Sequence, residues 1–289
     1  MAVINGFRKE LMFFMRGGRL ITLLIVMIAL AVMSPLLFGM TSQMMQMMKE
    51  AMPDGTYSEL AEEFSSFSAS DIAVYNSEYI SGIGAIIILF IFKAAAGGEQ
   101  KKRSVIIPQC AGISPERYIL PKFIIYPLSI FAVSFLAVVL GAAVSAAMFP
   151  GGLDWNMIML SASAAGVFLA FCTALQFCVG LSTGKSNAAV VIVIAMQMFL
   201  PTILALFRVD RFNPLALSSI SLAAARVSGK SGSVLMSALD AAGTSNDLSS
   251  LNIAVSFGTA IVISVVLYFV TVFALHTKEV RNEGNEPVL

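Results

Sequence analysis

Charged side chains are scarce in this 289-residue chain: they make up 12% of it, whereas hydrophobic residues make up 58%. An ordinary soluble domain contains about 25% charged and roughly 45–50% apolar residues. A water-soluble globule of this length could not bury such an excess of apolar side chains. The composition therefore predicts an integral membrane protein. The net charge of +1 gives no basic footprint of the kind that a nucleic-acid partner requires.

The groups that carry enzymatic chemistry are scarce as well. His276 is the single histidine, and no Asp or Glu falls inside the spans predicted below. Intramembrane proteases and hydrolases need such groups within the bundle, so we expect no catalytic residue and no metal or cofactor site on this chain. Ion-coupled transport also depends on buried carboxylates, so their absence from the predicted spans is evidence against an ion-coupled transporter. The three cysteines, Cys110, Cys172 and Cys178, are too few for a disulfide framework and are expected to be buried small hydrophobes.

Six apolar windows are long enough to cross a bilayer, which takes roughly 20 residues in helical conformation. Helices are expected because each span must satisfy its own backbone hydrogen bonds in lipid. The predicted spans cover residues 20–38, 79–96, 123–149, 157–180, 188–207 and 251–275. Ahead of them, residues 5–19 interleave apolar and basic side chains, which predicts an amphipathic helix lying in the membrane interface.

The distribution of Lys and Arg predicts the orientation. With the N-terminus inside, twelve basic residues lie in cytoplasmic segments and five in outer segments, and such cytoplasmic enrichment is the rule for multi-pass proteins. Both termini are therefore expected in the cytoplasm, with outer segments at 40–77 and 208–250 and a cytoplasmic loop at 97–122. The apolar but serine-rich second outer segment predicts a re-entrant or interfacial hairpin between spans 5 and 6.

Two local patterns are similar to known ligand-binding motifs, but we expect neither of them to bind a ligand. Residues 40, 44, 48 and 52 are methionines on one helical face; thioethers bind Cu(I), but no Cys or His accompanies them, so we expect apolar packing. Residues 180–186 read GLSTGKS, similar to a phosphate-binding loop. That motif needs glycine where this chain has Val179, so nucleotide binding is not expected.

A polar island at residues 97–123 stands between two apolar runs and reads GGEQKKRSVIIPQCAGISPERYILPKF. It gathers seven charged residues: Glu99, Lys101, Lys102, Arg103, Glu116, Arg117 and Lys122. In a chain with so little charge, this island is the one sizeable surface predicted to meet a soluble partner.

The island, the amphipathic N-terminus and the six spans together resemble the membrane subunits of ABC-2 type ABC transporters. Glu99 matches the glutamate of the family's charged loop, Ser104 falls near its threonine, and Lys122 matches the lysine that opens the third span. Residues 112–115 occupy the place of the P-[IV]-S-R element. In that region Gly112 replaces the proline, Pro115 replaces the arginine and Pro121 replaces a usual glycine, while Arg117 is the candidate for the arginine's role. The Asn213-Pro214 segment is similar to the family's extracellular hairpins.

The resemblance implies a non-catalytic permease subunit in a bacterial plasma membrane, exporting a hydrophobic or amphipathic peptide, lipid or drug. Its implied partners are a separate ATP-binding cassette ATPase, which would hold ATP and Mg, and a second permease copy or paralogue. A coupling helix between spans 2 and 3 would contact the ATPase through Glu99, Lys101, Lys102, Arg103, Ser104, Ser114, Pro115, Glu116, Arg117 and Lys122. A membrane scaffold without a transport cycle and an ATP-independent carrier are the alternatives.

Overall fold

The computed structural model describes residues 2–51, 62, 67–98, 114–206, 213–219 and 250–283. Within those ranges the chain is entirely helical and has no strand. The described residues form seven α-helices: α1 (Ala2–Arg16), α2 (Arg19–Ala51), α3 (Ala69–Lys93), α4 (Pro115–Met148), α5 (Trp155–Thr183), α6 (Ser186–Leu206) and α7 (Ser250–Glu283). A π-helical turn, Ala94–Gly98, extends α3, and a 3-10 helix, Pro214–Ser219, lies between α6 and α7.

Five of the helices in the described residues are long and apolar enough to cross a membrane, which makes this an α-helical, multi-pass membrane protein by length and composition. They are Arg19–Ala51, Ala69–Gly98, Glu116–Met148, Trp155–Thr183 and Ala254–Thr277. The apolar stretch of α6, Ser186–Pro201, is shorter than these. A span at residues 188–207 therefore stays a prediction, and so does the total of six.

Helix α3 begins ten residues before the predicted span at residue 79, because a capping box fixes its start at Ala69. The backbone N–H of Ser68 donates to Asp71 Oδ2 at 2.8 Å, and the Asp71 N–H donates to Ser68 Oγ at 3.4 Å. Reciprocal bonds of this kind satisfy donors that a helix start leaves free. Asp71 and Glu78 therefore lie within α3 but ahead of residue 79, and the predicted span at 79–96 contains no acidic residue.

The GLSTGKS segment forms the end of α5 and the turn into α6. Gly184 adopts the left-handed conformation (φ 71°) and its N–H donates to the carbonyl of Gly180 at 2.9 Å. Glycine suits this position because it has no β-carbon to clash there. The segment is thus a helix terminus between two helices, and it lacks the strand that precedes a phosphate-binding loop.

Helix α5 is the centre of the bundle, with 72% of its apolar window buried, and α3, α4 and α7 pack along it. The remaining helices lie around this core. We call one end of the bundle the α1 end; it holds α1, the start of α2 and the start of α4. At the opposite end the N–H of Ala69 donates to the carbonyl of Pro150 at 3.0 Å, and the N–H of Asp154 donates to Ser70 Oγ at 2.5 Å.

The two predicted outer segments are described in part. In the second, the 3-10 helix buries Leu215 and Leu217 against the main core, while the rest of the predicted hairpin lies outside the described residues. In the first, α2 continues as far as Ala51, and Met40 and Met44 are exposed. The expected apolar packing of the methionine stripe is therefore not seen at these two side chains within the described residues. Cys172 and Cys178 are buried, as predicted.

Candidate functional site

The candidate site is the α1 end of the bundle, where the polar island joins the helices. Residues 99–113 lie outside the described part of the chain, and with them Glu99, Lys101, Lys102, Arg103 and Ser104. The described edges of the island are the π-helical turn on one side and the start of α4 on the other.

Helix α4 begins at the SPER sequence. Ser114 is in extended conformation (φ −62°, ψ 149°), and Pro115 takes the first helical position, where its missing N–H leaves no hydrogen bond unmade. Glu116 lies in the first turn and is stabilised there by the helix dipole. The side chains of Glu116 and Arg117 are exposed. The helix runs without a break into the third predicted span, so residues 115–122 belong to α4 and not to a separate helix.

Lys122 differs from the partner-facing position predicted for it, because its side chain is fully buried. Its Nζ lies 3.1 Å from Oε1 of Glu10 in α1, and the two side chains are 0% and 3% exposed. An opposite charge at this distance compensates much of the cost of removing both ions from water. The pair therefore fixes α1 against α4 instead of meeting a soluble protein.

A hydrogen-bonded chain extends this ion pair to a third helix. The hydroxyl of Tyr126 donates to Oε2 of Glu10 at 3.3 Å, and Nη1 of Arg19 donates to the Tyr126 oxygen at 3.1 Å. Both carboxylate oxygens of Glu10 therefore have a partner, which a buried carboxylate requires. The chain joins α1, the start of α2 and the first turns of α4.

Aromatic rings enclose this polar chain. Around Tyr126 stand Phe14 of α1, Phe92 of α3 and Phe177 of α5, with ring centroids 5.4, 5.3 and 5.1 Å from its own. Rings at these separations interact favourably and exclude water. Lys122 Nζ also lies 5.2 Å from the ring centroid of Tyr118, within the range of a cation–π contact. Four helices thus share one closely packed cluster around a buried charge pair.

Glu10 was not predicted as a site residue, although the sequence carries a signal for it. Phe7, Glu10 and Phe14 follow a spacing of three and four residues, which puts them on one face of a helix. Phe7 and Phe14 both pack in the core. A carboxylate within the apolar face of an amphipathic helix indicates a buried cationic partner, since an unpaired charge would be too costly there.

The π-helical turn lies against the turn between α5 and α6. A β-carbon added to Gly97 would lie 3.0 Å from the nitrogen of Ser186, and one added to Gly180 would lie 2.5 Å from the carbonyl oxygen of Ala96. Only glycine permits such an approach of two backbones. The end of α3, and with it the start of the polar island, is therefore in direct contact with the central helix.

Comparison with protein-family models, with curated proteins and with solved structures finds no match to this chain. The site is thus defined by its own geometry. A buried ion pair and its aromatic shell join α1 to α4, and two exposed charges, Glu116 and Arg117, stand on the first turn of α4.

Proposed function

We propose that this chain is the non-catalytic membrane subunit of an ATP-driven transporter, and that a separate ATPase acts on its α1 end. One observation carries the proposal: the buried Glu10–Lys122 pair makes the interfacial helix and the start of α4 a single packed unit. A displacement applied to the polar island would reach α4 through this unit without being absorbed in a flexible joint.

The exposed charges suit a contact with a soluble subunit. Glu116 and Arg117 are at the surface, one turn ahead of the packed unit, and each can form charge-assisted hydrogen bonds with groups of opposite sign. The other edge of the island, at Gly97, touches the central helix α5. An ATPase seated on the island would therefore act on two bundle helices at once, α4 directly and α5 through the π-helical turn.

The proposal includes the remaining features of the family resemblance. The ATPase binds ATP and Mg, a second permease copy or paralogue completes the membrane part, and the α1 end faces the cytoplasm of a bacterial cell. The exported substrate is hydrophobic or amphipathic. A sixth span formed by α6 would bring both termini to the same side.

Co-purification tests this function. The tagged protein is solubilised from its native membranes, and the eluate is analysed by mass spectrometry and for ATP hydrolysis. Wild type is expected to retain an ATP-binding cassette subunit, and Glu99→Ala and Arg117→Ala are expected to weaken its retention or its turnover. The control is Glu62→Ala, because Glu62 is exposed and follows the other end of α2 in the sequence. This variant should retain the ATP-binding cassette subunit fully. A wild-type eluate with no ATPase would contradict the proposal.

An ion-coupled carrier is the second candidate, and Glu78 is the observation that favours it. This carboxylate lies within α3, in the helix range Ala69–Gly98 that is long enough to cross a membrane, and ionisable groups there commonly serve ion pathways. A carrier would lose transport in Glu78→Gln and upon collapse of the ion gradient while ATP is still present. An ATP-driven exporter would keep transport under both conditions.

A further inference from the structure

A groove of about 590 Å³ lies between α4, α5 and α7. Helix α7 packs mainly along α5 and touches α4 less, which leaves a space between α4 and α7 that the described residues do not fill. The walls include Phe123, Pro127 and Phe131 from α4, Ala170 and Ala174 from α5, and Ser264 from α7. Its volume is within the range of sites that hold one small ligand.

The groove opens sideways from the bundle. Leu128, Val265 and Phe269 belong to its walls and are 61%, 51% and 62% exposed. They come from α4 and α7, two helices that are long and apolar enough to cross a membrane. In a bilayer this opening therefore faces the hydrocarbon of the surrounding lipid.

The chemistry of the walls selects hydrocarbon over a polar ligand. Among the lining residues, hydroxyl groups occur on Ser264 and Tyr268 alone. The Ser264 hydroxyl already donates to the carbonyl of Ala260 at 2.7 Å, so it offers no free donor to a ligand. Tyr268 lies toward the α1 end, with its ring 5.7 Å from that of Phe123. A polar molecule would lose most of its hydration in the groove, where the Tyr268 hydroxyl is the remaining polar group among the lining side chains, whereas an alkyl chain loses none.

Two exposed charges of opposite sign, Glu116 and Arg117, stand beyond the α1 end of the groove. The lining residues Leu120, Phe123 and Pro127 follow Glu116 by four, seven and eleven residues. Leu120, Ile124 and Leu128 line the groove and follow Arg117 by three, seven and eleven residues, so all four share one face of α4. The Arg117 side chain is exposed. A guanidinium there is placed for the phosphate of a molecule whose tail occupies the groove, and arginine binds phosphate through paired hydrogen bonds.

We propose that the groove binds one acyl chain of a membrane phospholipid, and that Arg117 binds the phosphate of the same molecule. The apolar walls, the sideways opening and the arginine at one end together match an amphiphile of this kind. The site requires neither an ATPase nor transport. Arg117 also belongs to the proposed ATPase contact, whereas Val265 and Ala170 belong to the groove alone, so substitutions of these two residues separate a failure of the lipid site from a failure of the proposed function.

Native mass spectrometry of the detergent-purified protein, titrated with phosphatidylglycerol, tests the site. Wild type is expected to retain one lipid after delipidation. Val265→Phe and Ala170→Phe, which put a ring into the groove, should weaken retention by about tenfold or more, and Arg117→Gln should weaken it to a similar degree. The matched control is Val266→Phe: Val266 is also 51% exposed and adjacent in sequence, but it does not line the groove. It should retain the lipid like wild type.

A second measurement uses the wild-type protein and so does not depend on the folding of a variant. A phosphatidylglycerol with a diazirine on its acyl chain is cross-linked in nanodiscs, and the labelled peptides are mapped. Labels concentrated on residues 120–131 and 260–269 are expected. Two results would overturn the proposal. One is a set of labels spread evenly over the exposed faces of α2, α6 and α7, and the other is equal lipid retention by Val265→Phe and Val266→Phe.

Discussion

Oε1 of Glu10 lies 3.1 Å from Nζ of Lys122, and neither side chain is more than 3% exposed. This contact joins the first helix of the chain to the beginning of α4, at the residue where the polar island ends. The buried pair therefore links α1 to α4 of the helical bundle.

Neutralising one partner should destabilise the protein strongly. Glu10→Gln leaves the Lys122 ammonium buried without its counter-charge, and Lys122→Met leaves the Glu10 carboxylate in the same condition. Breaking a buried pair in this way typically costs about 3–5 kcal/mol. Thermal unfolding in a fixed detergent should show a large fall in midpoint for each variant. The double variant Glu10→Gln/Lys122→Met should recover much of that loss, because it leaves no unpaired charge.

The chain offers a matched control for this cycle. Lys49 and Glu62 form an ion pair at 2.8 Å, but their side chains are 40% and 70% exposed. Exposed pairs are screened by water and salt and stabilise little. Lys49→Met should therefore leave the unfolding midpoint unchanged. An equal effect of Lys49→Met and Lys122→Met would show that the Glu10–Lys122 contact has no special role.

The exposed pair gives a prediction on pH dependence. The hydrogen bond from Lys49, and next its positive charge, hold the pKa of Glu62 below the ordinary value of 4.5. A depressed folded-state pKa contributes stability above the unfolded-state pKa, and this contribution is lost as pH falls through the folded-state pKa. In Lys49→Met the pKa of Glu62 should rise toward its ordinary value. A ¹³C NMR titration of labelled glutamate carboxyl groups measures it, and identical curves for the two proteins would refute the assignment.

Gly141 should not tolerate a side chain, because it lies where three helices approach. A β-carbon there would collide with the amide nitrogen of Asn76, which donates to the carbonyl of Ala31 at 3.3 Å. Gly141→Ala should lower stability by about 1–3 kcal/mol, the usual cost of overpacking. Gly82→Ala on α3 is the control, because a β-carbon there meets nothing within 4 Å, and it should be neutral or slightly stabilising. Unfolding midpoints that agree for the two variants would contradict this account.

Hydropathy was sufficient to predict helices, since a long apolar run in lipid has few other conformations. It failed at the start of α3, where a capping box between Ser68 and Asp71 sets the boundary in a polar stretch that window averages exclude. The position of Lys122 was predicted from the polar island and the family resemblance, not from hydropathy, and the structure buries this side chain instead. The contact with Glu10 joins residues far apart in the chain, so nothing local to Lys122 indicates its burial. Glu10 itself could have been found from its place on the apolar face of α1.

The central claim is that a soluble ATPase contacts the α1 end. The most direct test places a photo-reactive benzoylphenylalanine at Gln100, a position of the polar island that is not among the proposed contact residues. A second variant carries the probe at Trp155, which is 50% exposed at the opposite end of the bundle. After irradiation of intact cells, cross-linked products are identified by mass spectrometry. The account predicts an ATP-binding cassette subunit attached at position 100 and none at position 155. A cross-linked ATPase at position 155, or none at position 100, would contradict it.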